Sequence, residues 1–178
     1  MLGNWDSAFP HFEPVGYKLR HCFPNRWVRF HSLPESQRYP GNEAEFDILL
    51  ARHNAVLSEL IHPSKQVVLL TTEFSDTENP LAAPKESPSA KWWQSVRLEE
   101  CYWHIYASEL IWQPQFFSPI IRRVAVDEPL SVMICDSRCD WVVHPYDGGM
   151  DVVLSTTERR DCLRTKYQGW LSSPKSGL

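Results

Sequence analysis

The sequence lacks the features by which several large protein classes are recognised. No long basic run occurs, and 18 Lys and Arg residues against 22 Asp and Glu residues give a net charge of −4, which argues against phosphate-backbone binding. No segment approaches the ~18 consecutive apolar residues that cross a bilayer. Gly-rich phosphate loops, Gly-x-Ser-x-Gly and His-Glu-x-x-His are absent. We therefore expect no nucleic-acid partner, no membrane association and no cofactor.

Cysteine is present but is not organised as a disulfide or metal framework. The pair Cys135 and Cys139 lies in Cys-Asp-Ser-Arg-Cys, and no second pair completes the four ligands that a zinc site normally needs. The first 14 residues carry no cationic region followed by an apolar stretch, so no secretory signal is visible. We expect a cytoplasmic protein with reduced thiols and no metal site.

What the chain does contain is enough apolar material for a core. Of its 178 residues, 43% are hydrophobic and 12% aromatic, which suits one domain over residues 1–178. Residues 1–25 are predicted to be irregular, and residues 75–90, with three prolines among polar residues, to form a flexible surface loop.

Hydrophobic periodicity predicts an α+β fold. Residues 42–61 carry an apolar stripe at spacings of three and four behind Asn42, with Glu45 three positions later, which is a helix start. Ser155 and Glu158 repeat that pattern before a C-terminal helix. The remaining apolar runs predict a mainly antiparallel sheet of about five to six strands, with two main helices packed on one face.

A hairpin is predicted over residues 140–154, where two runs of β-formers flank Asp-Gly-Gly. If Asp147-Gly148 form the turn, His144 faces Asp151 and Tyr146 faces Gly149. We then expect a hydrogen bond between His144 and Asp151 that raises the pKa of the imidazole. If the two glycines form the turn, Tyr146 faces Asp151 instead.

The polar groups of this hairpin have two interpretations. His144, Asp147 and Asp151 could form the catalytic site of a metal-dependent hydrolase. In the alternative interpretation Asp147 serves the turn and His144 is a packed or solvated strand residue, since turns enrich Asp and Gly for conformational reasons alone. Composition and local pattern favour the second interpretation. The core interpretation likewise applies to His53, which lies on the apolar stripe of the helix over residues 42–61.

Two places in the sequence are candidates for binding a partner. Trp92 and Trp93 leave the polar loop side by side, so one of them would face outward from a strand, and an exposed Trp can anchor a partner protein. Tyr146 and Asp147 at the hairpin tip are the second place.

The chain resembles a bacterial family of small domains of unknown function. The resemblance rests on Tyr146-Asp147-Gly148-Gly149-Met150-Asp151-Val152, followed by a helix with Tyr167 and Trp170-Leu171, and on the opening strand 24–30. Domains of that family end in a Tyr-Asp-x-x-Gly-x-Asp hairpin and a C-terminal helix. This chain has Gly148 in place of the Asp-Arg pair at the centre of that turn. The resemblance implies a shared fold and no established activity.

Together these features favour a non-enzymatic protein-interaction module, with an immunity or inhibitor protein as the expected type. Aromatic content, a modestly acidic chain and missing catalytic motifs support this interpretation, because negative charge assists association with a basic partner. The sequence does not decide the oligomeric state. The hydrolase of His144, Asp147 and Asp151 is the alternative.

Overall fold

A computed structural model describes residues 5–62, 65–80, 82–85, 87 and 89–171. Within these residues one antiparallel sheet has the strand order β1-β7-β6-β5-β2-β4-β3. The strands are β1 (Trp27–His31), β2 (Gln66–Ser75), β3 (Lys91–Leu98), β4 (Cys101–Ile111), β5 (Ser131–Asp136), β6 (Trp141–Tyr146) and β7 (Gly149–Leu154).

The α+β class and the antiparallel sheet are confirmed, but the strand count is corrected from five or six to seven. The additional strand is β3, which pairs with β4 from Leu98 opposite Cys101. Only Glu99 and Glu100 join these two strands, and Glu99 has a positive φ of 53°. Such a turn normally carries Gly or Asn at that conformation, so the sequence gives no turn signal there.

The helices are α1 (Trp5–Ala8), α2 (Leu19–Cys22), α3 (Glu43–Leu60), α4 (Ser118–Val124) and α5 (Thr157–Lys166). The predicted cap of α3 is confirmed, because the Asn42 side chain accepts a hydrogen bond from the Glu45 backbone N–H at 3.1 Å. α5 begins one residue later than the pattern predicts, since Thr156 is its cap. None of the described helices is long and apolar enough to cross a membrane.

Alternating strand residues divide the core into two layers on opposite faces of the sheet. Leu69 and Val143 belong to a cluster shared with α3, α4 and α5. Val68 and Val142 belong to a second cluster shared with aromatic and aliphatic residues of the segment 5–23. Three helices share one face of the sheet, and segment 5–23 covers the other. The predicted packing of two main helices on one face is therefore not confirmed. The face covered by segment 5–23 is called the N-terminal face below.

Part of the region between β2 and β3 packs against the sheet. The Ser87 and Ser108 hydroxyls are buried and share a hydrogen bond. The ring of His104 bonds Ser75 Oγ at 2.9 Å and the Thr77 carbonyl at 3.1 Å. These contacts tie the described part of residues 75–90 to β4, and the flexibility predicted for that loop stays a prediction.

Candidate functional site

Polar side chains replace apolar ones on the N-terminal face where β1, β7 and β6 lie side by side. Arg29 is opposite Asp151, and Asp151 is opposite His144, so the three form one row across adjacent strands. In the next row His31 and Tyr146 flank Gly149. Gly149 has no side chain, and the Tyr146 hydroxyl lies 2.9 Å from the position that its Cβ would take.

The polar side chains of these two rows line a pocket of about 460 Å³, within the range of volumes that hold small ligands. The segment before β1 and the loop after it supply the remaining walls. We call it the hairpin pocket, and its lining is Tyr17, Arg20, Arg29, His31, Ser36, Arg38, His144, Tyr146, Asp147, Gly148 and Asp151.

The predicted hairpin register is the first of the two alternatives. Asp147 and Gly148 form the turn, His144 faces Asp151, and Tyr146 faces Gly149. A side chain at position 149 would have its Cβ only 2.2 Å from the Phe30 carbonyl oxygen. Glycine is therefore required there for β1 and β7 to approach.

A buried ion pair between Arg29 and Asp151 forms one side of the pocket. Arg29 Nε lies 2.7 Å from Oδ1, and its second terminal nitrogen, Nη2, lies 2.9 Å from Oδ2. The two side chains are 10% and 1% exposed. The guanidinium also lies 5.4 Å from the Trp27 ring and 4.9 Å from the Tyr146 ring. This bidentate geometry holds the arginine in one orientation.

Asp147 is held both by its own turn and by the loop after β1. Its Oδ1 accepts from the Gly148 backbone N–H at 2.9 Å, and its Oδ2 accepts from Arg38 Nε at 2.5 Å. The proximity of the same carboxylate raises the pKa of Tyr39. Asp147 therefore serves the turn, as one interpretation of the sequence has it, and also positions Arg38.

The environment of His144 differs from the prediction. Its Nδ1 lies 2.9 Å from the Val132 carbonyl oxygen, which only accepts, so Nδ1 carries the proton and Nε2 the lone pair. The pKa of His144 is lowered rather than raised as predicted, because burial outweighs the hydrogen bond to Val132 and the charge of Asp151, which both raise it. The Asp151 carboxylate is engaged by Arg29. Gly16 packs so closely that a Cβ there would lie 2.3 Å from Nδ1.

The three residues of the hydrolase alternative line the same pocket but are not arranged as a ligand set. Arg29 binds both oxygens of Asp151, and Arg38 and the turn N–H bind those of Asp147. Within the described residues no trio of His, Cys, Asp or Glu is placed to hold a metal ion. A metal would have to displace Arg29 to reach the Asp151 carboxylate in this way and Arg38 to reach that of Asp147.

The two tryptophans predicted to bind a partner lie far from the hairpin. Both are on β3, at the opposite edge from β1, and four strand spacings separate β3 from β6, or about 19 Å. Trp92 is 51% exposed. Trp93 sits at a bulge and packs edge-on against Trp5, with ring centroids 5.4 Å apart. The pair is thus split into one outward and one inward ring.

Two other residue groups of interest have structural roles. His53 is buried, and its Nε2 lies 2.9 Å from Ser32 Oγ, which confirms the interpretation as a satisfied core histidine. Cys135 and Cys139 are buried free thiols. Neither group reaches the hairpin pocket.

Sequence reasoning missed the cationic half of the pocket. Arg29 could have been found, since the alternation over β1 places it on the face opposite Phe30. Arg20 and Arg38 lie in segments with no strong periodicity, and only the folded chain brings them beside the hairpin.

The fold and pocket define an α+β domain with a charged cavity beside a β-hairpin. The chain belongs to the family described as a domain of unknown function (DUF3885), which matches residues 15–174. No curated protein and no solved structure matches it. The resemblance to a family of unknown function is thereby confirmed, while bacterial origin and the C-terminal motif stay predictions.

Proposed function

We propose that the chain is a non-enzymatic binding module whose hairpin pocket receives an acidic group of a partner protein. The observation that carries this proposal is the charge of the pocket. Its lining contains three guanidinium groups, from Arg20, Arg29 and Arg38, but only two carboxylates. This local excess of positive charge occurs in a chain whose net charge is −4.

Arg38 is the residue best placed to meet an incoming anion. Its Nε donates a hydrogen bond to Asp147, and its side chain is 64% exposed. A guanidinium has five N–H donors in a fixed fork, so its terminal nitrogens can bind a carboxylate bidentately. Asp147 supports this by fixing the direction of the side chain.

The remaining polar groups favour binding over catalysis. Asp151 is fully engaged by Arg29, and Asp147 by Arg38 and its own turn. Each oxygen of the two carboxylates already accepts a hydrogen bond from a donor that the fold holds in place. The pocket therefore supplies fixed hydrogen-bond donors rather than a poised acid and base.

An immunity or inhibitor protein acting in the cytoplasm is the type of module that we propose. Its overall negative charge would steer a basic partner towards it. The pocket would then act at short range, since charges are screened over about 8 Å at physiological ionic strength. One partner with a basic surface and a protruding acidic side chain would satisfy both features.

The test of the pocket uses N-acetylglutamate α-amide, called the acid below, whose side-chain carboxylate is its only charge. N-acetylglutamine α-amide, called the amide, is its uncharged counterpart. Titration followed by backbone NMR should give saturable shifts at Gly148 and Gly149 with the acid and none with the amide. Arg38→Gln should reduce the affinity for the acid about fivefold to tenfold, in line with the loss of one charge-assisted contact of about 1–1.4 kcal/mol.

The matched control is Arg97→Gln, an exposed arginine on the distant strand β3, which should leave the titration unchanged. Equal shifts with the acid and the amide, or no saturable shift at the hairpin, would overturn the proposal.

A further inference from the structure

An exposed row of aromatic rings adjoins the hairpin pocket. Tyr17 lines the pocket and packs edge-on against Trp103, with ring centroids 5.9 Å apart. Trp103 packs in turn against Phe74 at 4.8 Å. Tyr17 and Phe74 are 49% and 37% exposed. We call Tyr17, Trp103 and Phe74 the aromatic ridge.

The strand register explains why this ridge lies on the N-terminal face. Phe74 is directly opposite Trp103 in the β2–β4 pair. Four residues earlier on β2, Leu70 is buried in the cluster formed with segment 5–23. Phe74 points to the same face but is partly exposed to solvent, so segment 5–23 covers this face less completely towards the end of β2.

We propose that the hairpin pocket and the aromatic ridge together bind one polypeptide segment of the partner. An acidic side chain enters the pocket, and an apolar or aromatic side chain of the same segment packs on the ridge. This inference rests on the proposed function and specifies the chemistry of its partner.

Two observations select a polypeptide that carries both groups. The positive charge of the pocket is complementary to an acidic residue, and Tyr17 belongs to the pocket and to the ridge, so the two surfaces are continuous. An extended segment advances about 3.3 Å per residue. An apolar residue two to four positions from the acidic one therefore reaches the ridge while the acid occupies the pocket.

The ridge also has the composition of an interface centre. Tyr and Trp bury a large area at low conformational cost, and they dominate the binding energy of many protein interfaces. A small anion would leave Trp103 and Phe74 uncovered, because neither residue lines the hairpin pocket. Only a ligand longer than the pocket uses the whole surface.

The experiment uses fluorescein-labelled heptapeptides with an acetylated N-terminus and an amidated C-terminus. Each has a Gly-Ser background, one Asp, and one Trp placed one to five residues from it. Fluorescence anisotropy should show at least one spacing that binds tenfold tighter than the matched peptides with Asn for Asp or Ala for Trp. Phe74→Ala in the protein should reduce that binding fivefold to tenfold, to the level of the peptide lacking Trp.

Two protein variants and one readout keep a folding defect from being mistaken for a lost contact. Phe74→Leu retains most of the apolar volume and should reduce the affinity for the Trp peptide by a smaller factor than Phe74→Ala does. Thermal melting should show that Phe74→Ala and Phe74→Leu are both folded. Phe116→Ala removes an aromatic ring that is also exposed but lies before α4, away from the ridge. It should leave peptide binding unchanged.

The outcomes separate this inference from the proposed function. If the α-amide of N-acetylglutamate binds the pocket but Trp adds nothing to any peptide, the ridge is not used and a small acidic ligand is the occupant. If Phe74→Ala leaves the tight peptide unaffected, the inference is also overturned. If neither the acid nor any peptide binds, both proposals fall.

Discussion

At the scale of single residues, the ion pair of Arg29 and Asp151 is the strongest candidate for a large stability effect. Asp151→Asn leaves a buried guanidinium without its counter-charge, which typically costs 3–5 kcal/mol. Urea denaturation should therefore show a loss of that size. Asp140→Asn, at a partly exposed carboxylate paired with Arg138, should cost less than about 1 kcal/mol. A loss below about 1 kcal/mol for Asp151→Asn would contradict the structure.

A second residue-scale prediction concerns pH. Burial lowers the pKa of His53 to about 3, whereas an unfolded chain has a His pKa near 6.5. Because the unfolded state takes up the proton first, the free energy of unfolding should decrease as pH falls from about 6.5 towards 3. The largest slope from one such group is about 1.4 kcal/mol per pH unit.

Urea denaturation at pH 7, 5 and 4 should show a shallower decrease for His53→Gln than for the unmodified chain. His21→Gln, at an exposed position, should leave the decrease unchanged. Identical pH profiles for His53→Gln and the unmodified chain would count against the buried neutral imidazole.

At the scale of elements, the contact between β1 and β7 depends on glycine. A methyl group at position 149 would collide with the Phe30 carbonyl oxygen, so Gly149→Ala must force the two strands apart, and we expect a loss of 3 kcal/mol or more. Gly169 has no heavy atom within 4 Å of its ideal Cβ, and Gly169→Ala should change stability by less than about 1 kcal/mol. Comparable melting temperatures for the two variants would refute this.

The outer strand β3 offers a comparison between adjacent tryptophans. Trp93→Ala removes a ring that packs on Trp5 and should cost 2–4 kcal/mol. Trp92→Ala removes an exposed ring whose indole N–H donates to Ser95, and it should cost less than 1 kcal/mol. Chemical denaturation of the two variants would show the difference. If Trp92 anchors a partner, its truncation should reduce binding without unfolding the chain.

Elements defined by local signals were predictable, and contacts between distant segments were not. The cap of α3 uses residues three apart, and the hairpin register follows from one Asp-Gly turn. The β3–β4 turn was missed because Glu99 adopts a conformation that its residue type does not signal. The pocket was missed because Arg29 and Arg38 bind residues 122 and 109 positions away, and such pairing depends on a strand order that the sequence does not encode locally.

At the scale of the whole molecule, two apolar layers share one sheet. Phe9 belongs to the cluster on the N-terminal face and Leu57 to the cluster beneath α3. Phe9→Ala and Leu57→Ala should each cost about 2–5 kcal/mol and lower the midpoint of one common transition. Circular dichroism and tryptophan fluorescence should then report the same midpoint. Separate transitions would contradict the single domain predicted over residues 1–178. The comparison tests the N-terminal segment in particular, because Phe9 lies before residues 15–174, which the family model matches.

The two borders of the sheet are protected in different ways. Along β1, Phe30 forms an antiparallel bridge with Leu171, so the last described residue of the chain occupies part of that border. Along β3, the bulge at Trp93 breaks the register and Lys91 and Arg97 add positive charge. Exposed straight strands recruit copies of themselves into fibrils, and kinks and charges discourage this. The chain should therefore resist ribbon-like aggregation at high concentration, even with an exposed indole on its outermost strand.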